Sequence, residues 1–394
     1  MQVPLSKPDV SEREIERVCD VLRSSRLSLG PAVPEFEQRF ACYVGTGYAV
    51  AVNSGTSALH LITRALGIGA GDEVITTSFS FVASTNCFLY EGAAPVFVDI
   101  DPATLNLDPR AVRTFLTTQC EINGNAVIHR RTGRRVKAIV PVHVFGVPCD
   151  MQPILELARE FHLRVIEDSC EAIGATYHGR NAGTFGDAAA FAFYPNKQMT
   201  TGEGGMIVTS DERIAVECRS MRNQGRDASC EWLQHARLGY NYRLSDIHAA
   251  LGIGQLERIT ELLASRARVA AAYNRRLAGH GQIRLPQHPA GVTPSWFVYV
   301  IRIKGTQAAR DQVISILRSQ GVGCQAYFPA IHHQPYVKKF IPAGLALPNT
   351  EAAAATCVAL PFFSQISEAE IAYVCDQLKV ALDQVLNGPV AAVA

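Results

Sequence analysis

Short apolar runs alternating with helix-like segments fix the layout of this chain. Residues 48–53 (YAVAVN), 73–78, 94–101, 137–146, 163–169, 188–194 and 205–210 are rich in Val, Ile, Phe and Ala. They lack clean polar alternation, as strands covered on both faces do. Between them run helical patterns such as 57–67 and 151–162. Strand and helix in alternation imply an α/β fold: a mostly parallel central sheet flanked by helices.

With 394 residues and 48% hydrophobic content, the chain exceeds one ordinary domain. Its pattern divides into a large α/β domain, residues 1–262 with an N-terminal arm 1–25, and a smaller C-terminal α+β domain, residues 263–394. One long helical pattern, 245–277, capped by Ser245, is expected to form a spine between them. Beyond it, 295–303 alternates like a strand and 310–321 is amphipathic and ends in Gly. The Ala/Val-rich last residues read as a frayed end.

Several function classes drop out on composition. Basic and acidic residues balance at 37 and 36, so no nucleic-acid face is implied. The richest basic stretch, HRRTGRRVK at 129–137, follows Asn123-Gly124 and reads as a polar hairpin or loop. Eleven cysteines without a CxxC indicate reduced thiols in a cytoplasmic protein and no disulfide framework. Eleven histidines show no HxxxH or HExxH, and the adjacent His332 and His333 are poorly placed to share one ion, so no metal is expected. No run reaches about eighteen apolar residues, which speaks against a membrane span, and the N-terminal stretch lacks a signal-like apolar core.

Three stretches carry chemistry. In NSGTSAL, 53–59, a strand ends and a helix opens on small hydroxylated residues. Free N–H groups there suit a phosphate, with Gly55 admitting close approach and Thr56 and Ser57 adding hydroxyls, although a plain helix cap explains the stretch equally well. In VIEDSCE, 165–171, acids gather at the end of an apolar strand, where α/β sheets place ligands; a structural ion pair is the alternative. Lys197 follows the run 188–194 and falls at another strand end. An amine in a semi-apolar pocket is pushed toward its neutral, nucleophilic form, and such lysines form Schiff bases. Together, a phosphate cradle, a carboxylate for a protonated pyridine nitrogen and an imine-forming lysine are what pyridoxal 5'-phosphate (PLP) requires. Phe81 would either stack on the ring or fill the core. The glycine cluster 67–71 follows a helix instead of opening one, so it is a helix stop and not a dinucleotide fingerprint. An NAD-dependent oxidoreductase is thereby disfavoured.

PLSKPDV, NSGTSALHL, SFSFVASTN, VPVHVFG, VIEDSCEAIGA, GTFGDAAAFAFYPNKQMTTGEGG and GYNYRLSDIHAAL together resemble the nucleotide-sugar aminotransferases, or DegT/StrS family, of PLP fold type I. The match runs in order over nearly the whole chain. The resemblance implies that Lys197 is the imine lysine and proton shuttle and that Asp168 pairs with the pyridine nitrogen. Glu171 would sit beside the ring hydroxyl, while Gly55, Thr56 and Ser57 hold the phosphate. It further implies that Asn241 reaches the phosphate across a homodimer interface. Tyr327 and His332 would face the sugar nucleotide, His332 competing with a reading as an exposed loop histidine. The implied reaction moves an amino group from an amino acid, L-glutamate, to a nucleotide-linked ketosugar. A cyclitol ketone as acceptor, or a non-catalytic regulator, are the alternatives. Two departures stand out: Ala192 occupies a place often held by a phosphate-binding serine, and ALPFF, 359–363, replaces a serine-containing motif. Relatives with histidine for the lysine are dehydratases, a branch that Lys197 opposes.

Overall fold

The computed structural model describes residues 1–227 and 231–387. The Ala/Val-rich C-terminal residues and Cys230 lie outside the described residues. The large sheet is built from β1 (Tyr48–Val52), β2 (Asp72–Thr77), β3 (Ala94–Val98), the hairpin β4 (Cys120–Asn123) and β5 (Ala126–His129), β6 (Arg135–Val140) and β7 (Arg164–Asp168). After the two-residue strands β8 (Thr176–Tyr177) and β9 (Arg180–Asn181), it is completed by β10 (Ala188–Ala192) and β11 (Gly205–Thr209). Each expected run forms a strand that ends at least a residue early, as the chain leaves the ladder for the loops beyond. The basic 129–137 stretch spans the end of β5, the turn 130–134 and the start of β6, a hairpin.

Across the sheet the order is β1-β11-β10-β7-β6-β2-β3, with β5 pairing at the start of β6. Pairing along this path is parallel except at β11, which is antiparallel to both neighbours. The C-terminal ends of β1, β2, β6, β7 and β10 therefore share one edge, where open α/β sheets bind ligands. Small side chains in β10, Ala188 and Ala190, are buried under the helix Gly55–Ala65. That lets the helix lie close and brings its N-terminus to this edge.

Downstream, β12 (Ile283–Arg284), β14 (Tyr299–Ile303) and β15 (Cys357–Leu360) form a small antiparallel sheet, while β13 (Val292–Thr293) pairs with β8. Helices Gln307–Ser319 and Glu368–Leu386 close its core around Tyr273, Tyr299, Leu317 and Leu378. Val3 bridges to Val322 beside this sheet, and the Phe362 N–H donates to the Leu5 carbonyl.

The expected spine is not one helix. It divides into Asp246–Glu257 and Ile259–Leu277, broken at Arg258 (φ −103°, ψ 6°). No Gly or Pro marks the break. Arg258 is instead drawn to Asp9 at 3.1 Å and Glu14 at 3.0 Å at the start of the first helix, Glu12–Arg23. The described cysteines are all free. Among the described residues no helix is long and apolar enough to cross a membrane.

Candidate active site

A cavity of about 430 Å³ opens where the ends of β1, β2, β7 and β10 meet Phe297, Tyr327 and Phe328 of the C-terminal unit. At one end lies the start of the helix Gly55–Ala65. Ser54 caps it in extended conformation, its Oγ accepting the Ser57 N–H at 3.1 Å. The N–H groups of Gly55 and Thr56, which line the cavity, have no acceptor among the described residues. This leaves the positive pole of the helix facing the space. A Cβ on Gly55 would come within 2.7 Å of Ala192 Cβ and 2.9 Å of Cys170 Sγ, so only glycine fits. Ser57 departs from expectation: its hydroxyl donates to Asn53 Oδ1 at 2.7 Å and the residue does not line the cavity. Its role is in the cap.

Strand alternation sends Glu167 and Asp168 to opposite faces. Glu167 is fully buried and accepts the N–H groups of Gly183, Phe185 and Gly186 at 2.6–2.8 Å. His143 Nε2 stands 3.0 Å from it, while His143 Nδ1 accepts the Cys149 N–H at 3.1 Å, which leaves the ring proton on Nε2. That carboxylate is occupied by the fold. Asp168 faces the cavity, and its carboxylate accepts the Cys170 N–H at 3.1 Å. Burial raises it above the ordinary carboxylate range, against the lowering pull of hydrogen bonds from the Cys170 side chain and amide and of Lys197. So sparsely compensated an acid favours the arrival of a cation.

Lys197 lies in the turn after β10, its N–H bonded to the Tyr194 carbonyl at 2.9 Å. The mostly buried Nζ rests 3.8 Å from the ring centroid of Phe297 and 3.6 Å from Glu171 Oε1. Glu171 Oε2 accepts the Phe145 N–H at 2.8 Å, and burial raises this carboxyl too. Gln198 braces the same turn, donating to the Glu171 carbonyl at 2.5 Å and to Ser295 Oγ at 2.8 Å. Neither Phe297 nor Gln198 carries a signal in the sequence, since each gains its role from residues distant along the chain.

The structure brings Lys197, Asp168, Glu171, Gly55, Thr56, Phe81 and Tyr327 to one cavity. Phe81 is 60% exposed, and the core position beside it is taken by the fully buried Phe79, so the core reading of Phe81 fails. Burial pushes the Tyr327 phenol up, and Glu171 adds to the rise. His332 is neither in the cavity lining nor exposed. It is 3% exposed, with Nδ1 2.7 Å from Ser78 Oγ and Nε2 3.3 Å from Glu351 Oε1, because it ties its loop to the end of β2. Adjacency does not keep the two histidines apart: His332, His333 and Glu351 bring ligand atoms within 4.8 Å of one another, although both His332 nitrogens have protein partners. Asn241 is exposed and outside the cavity of its own chain. Its neighbours Tyr240 and Tyr242 stack at 4.9 Å and are held by Glu91 and His60.

The model of the DegT/DnrJ/EryC1/StrS aminotransferase family matches residues 8–379. The GDP-perosamine synthase of Caulobacter vibrioides is 40% identical over 389 residues, covering 98% of each chain. DesV of S. venezuelae aligns with a TM-score of 0.86 at 33% identity over 96% of this chain and 98% of its own. Spr1654 from Streptococcus pneumoniae, solved in its PLP form, aligns with a TM-score of 0.87 at 27% identity, covering 98% of this chain and 100% of its own.

Proposed function

This chain belongs to the DegT/DnrJ/EryC1/StrS aminotransferase family, and from that footing we propose that it moves an amino group from L-glutamate to a keto group of a nucleotide-linked deoxysugar, with PLP as cofactor. Its fold is that of PLP-dependent transferase fold type I. The proposed product is an amino-sugar building block made in the cytoplasm, in keeping with a relative that bears the name GDP-perosamine synthase.

The observation that carries the reading is one cavity joining an amine, an under-compensated carboxylate and an open helix start. These three groups fit the aldehyde, the protonated ring nitrogen and the phosphate of PLP. Bound PLP supplies an electrophilic carbonyl and an electron-withdrawing ring. Gly55 and Thr56 offer backbone N–H groups to the phosphate, without the serine that Ala192 replaces. Asp168 would hold the charge on the ring nitrogen, and Phe81 would support the ring face. Glu171 would hold the ring hydroxyl, and its Oε1 lies 3.6 Å from Lys197 Nζ. Lys197 Nζ takes the proton leaving the donor's α carbon and delivers one to the acceptor. Asn241 serves the phosphate from a second copy in a homodimer, and Tyr327 lines the acceptor side.

Purified protein should be yellow, lose its visible band on borohydride treatment, and lose that band also when glutamate is added. Lys197→Ala should lower turnover by about 10³-fold or more while the chain stays folded. Full turnover in that variant would overturn the assignment. Parallel incubations with a nucleotide-ketosugar and a cyclitol ketone, read by mass, test the acceptor; amination of the cyclitol alone would redirect it.

A further inference from the structure

Arg266, on the helix Ile259–Leu277, is 3% exposed, and its partners are three carbonyl oxygens and no carboxylate among the described residues. One terminal nitrogen donates to the Lys197 carbonyl at 2.8 Å. The other donates to the carbonyls of Trp296 and Phe297, both at 3.2 Å. Its Nε is buried without a partner, and burial lowers the guanidinium to about 10, Asp9 offsetting part of that fall. Placing a cation so deep with neutral partners alone is costly. Capping loop carbonyls is one reason to tolerate that cost. The identity of the carbonyls supplies a more specific one: one belongs to the reactive amine's own residue, one to the aromatic that supports its Nζ, and the third to the residue before that aromatic.

We infer that Arg266 is the positioning residue for Lys197, its planar fork tying the backbone of the amine-bearing turn to the Trp296–Phe297 segment of the C-terminal unit. The inference rests on the reading of Lys197 given above. An amine released and recaptured in each half reaction must return to one place, and a misplacement near 1 Å costs about 10²-fold in rate. Arg266 fixes the Cα end of that side chain while Phe297 supports the other. A lysine at 266 would keep the charge but lose the fork, so it could not hold both sets of carbonyls at once.

The test compares Arg266→Met and Arg266→Lys with wild type. In cofactor-free protein, amide hydrogen exchange of the 193–201 turn should rise about tenfold or more in Arg266→Met, with β2 and β6 unchanged. In protein loaded with PLP, the circular dichroism of the visible band should shrink. There kcat should fall about tenfold to 10²-fold while KM stays within about twofold. Arg266→Lys should lie between. Unchanged exchange in the turn, or a rise spread evenly through the sheet, overturns the inference. If Arg266→Met does not fold, Arg266→Lys decides: local loosening with lowered kcat supports the role, and wild-type behaviour in both overturns it. A wild-type protein without a visible band would sink the cofactor reading and leave the exchange result standing.

Discussion

Glu167 and Asp168 are neighbours of like chemistry, yet the pleat gives one to the fold and leaves the other to the cavity. The cavity acid has a stability consequence. Burial raises Asp168 and, beside it, Glu171, so the folded chain keeps protons that the unfolded chain has released. Their contribution to stability is therefore lost as pH climbs from about 4 through the raised folded values. Asp168→Asn should flatten that decline in cofactor-free protein and raise its thermal midpoint at neutral pH by about 2 °C or more, while weakening PLP retention. A thermal scan across pH checks this; a variant midpoint that falls as steeply as wild type would refute it. Lys197, Asp168 and the Gly55 turn are legible in sequence because each ends or follows a recognisable strand. His332 was misread because its partner Ser78 is 254 positions away. Arg266 had no signal, since its three acceptors come from two distant segments.

Among the elements, the strands were readable from their apolar runs, but the direction of β11 was not, because a buried run looks the same in either orientation. The break at Arg258 was hidden for a related reason: the helical period continues through it, and only tertiary partners reveal it. Glu14 closes a capping box with Ser11 and accepts Gln255 Nε2 at 2.9 Å and Arg258 at 3.0 Å. Burial pushes this carboxyl up, but hydrogen bonds from Ser11 and Gln255 bring it below the ordinary range. Its contribution is thus present above about 4.3 and lost as pH falls through the lower folded value. Arg258→Ala, which strands a buried Glu14, should cost about 3 kcal/mol near neutral pH and less in acid. Urea midpoints at two pH values measure this, and an equal loss at both would refute the coupling.

At the scale of the molecule, Asn241 belongs to an exposed segment with Trp232 at 87% and Leu238 at 68% exposure, apolar surface that the proposed dimer would cover. If each site joins Lys197 of one copy to Asn241 of the other, then Lys197→Ala and Asn241→Ala chains, each nearly inactive, should recover about a quarter of wild-type turnover when remixed, since half the dimers are mixed and one site in each is whole. No recovery after verified subunit exchange would exclude a shared site. The Val3–Val322 bridge and the Leu5–Phe362 hydrogen bond have a different consequence. During synthesis, Val3 and Leu5 must wait for partners translated more than 300 residues later, so these contacts close only after most of the molecule has emerged.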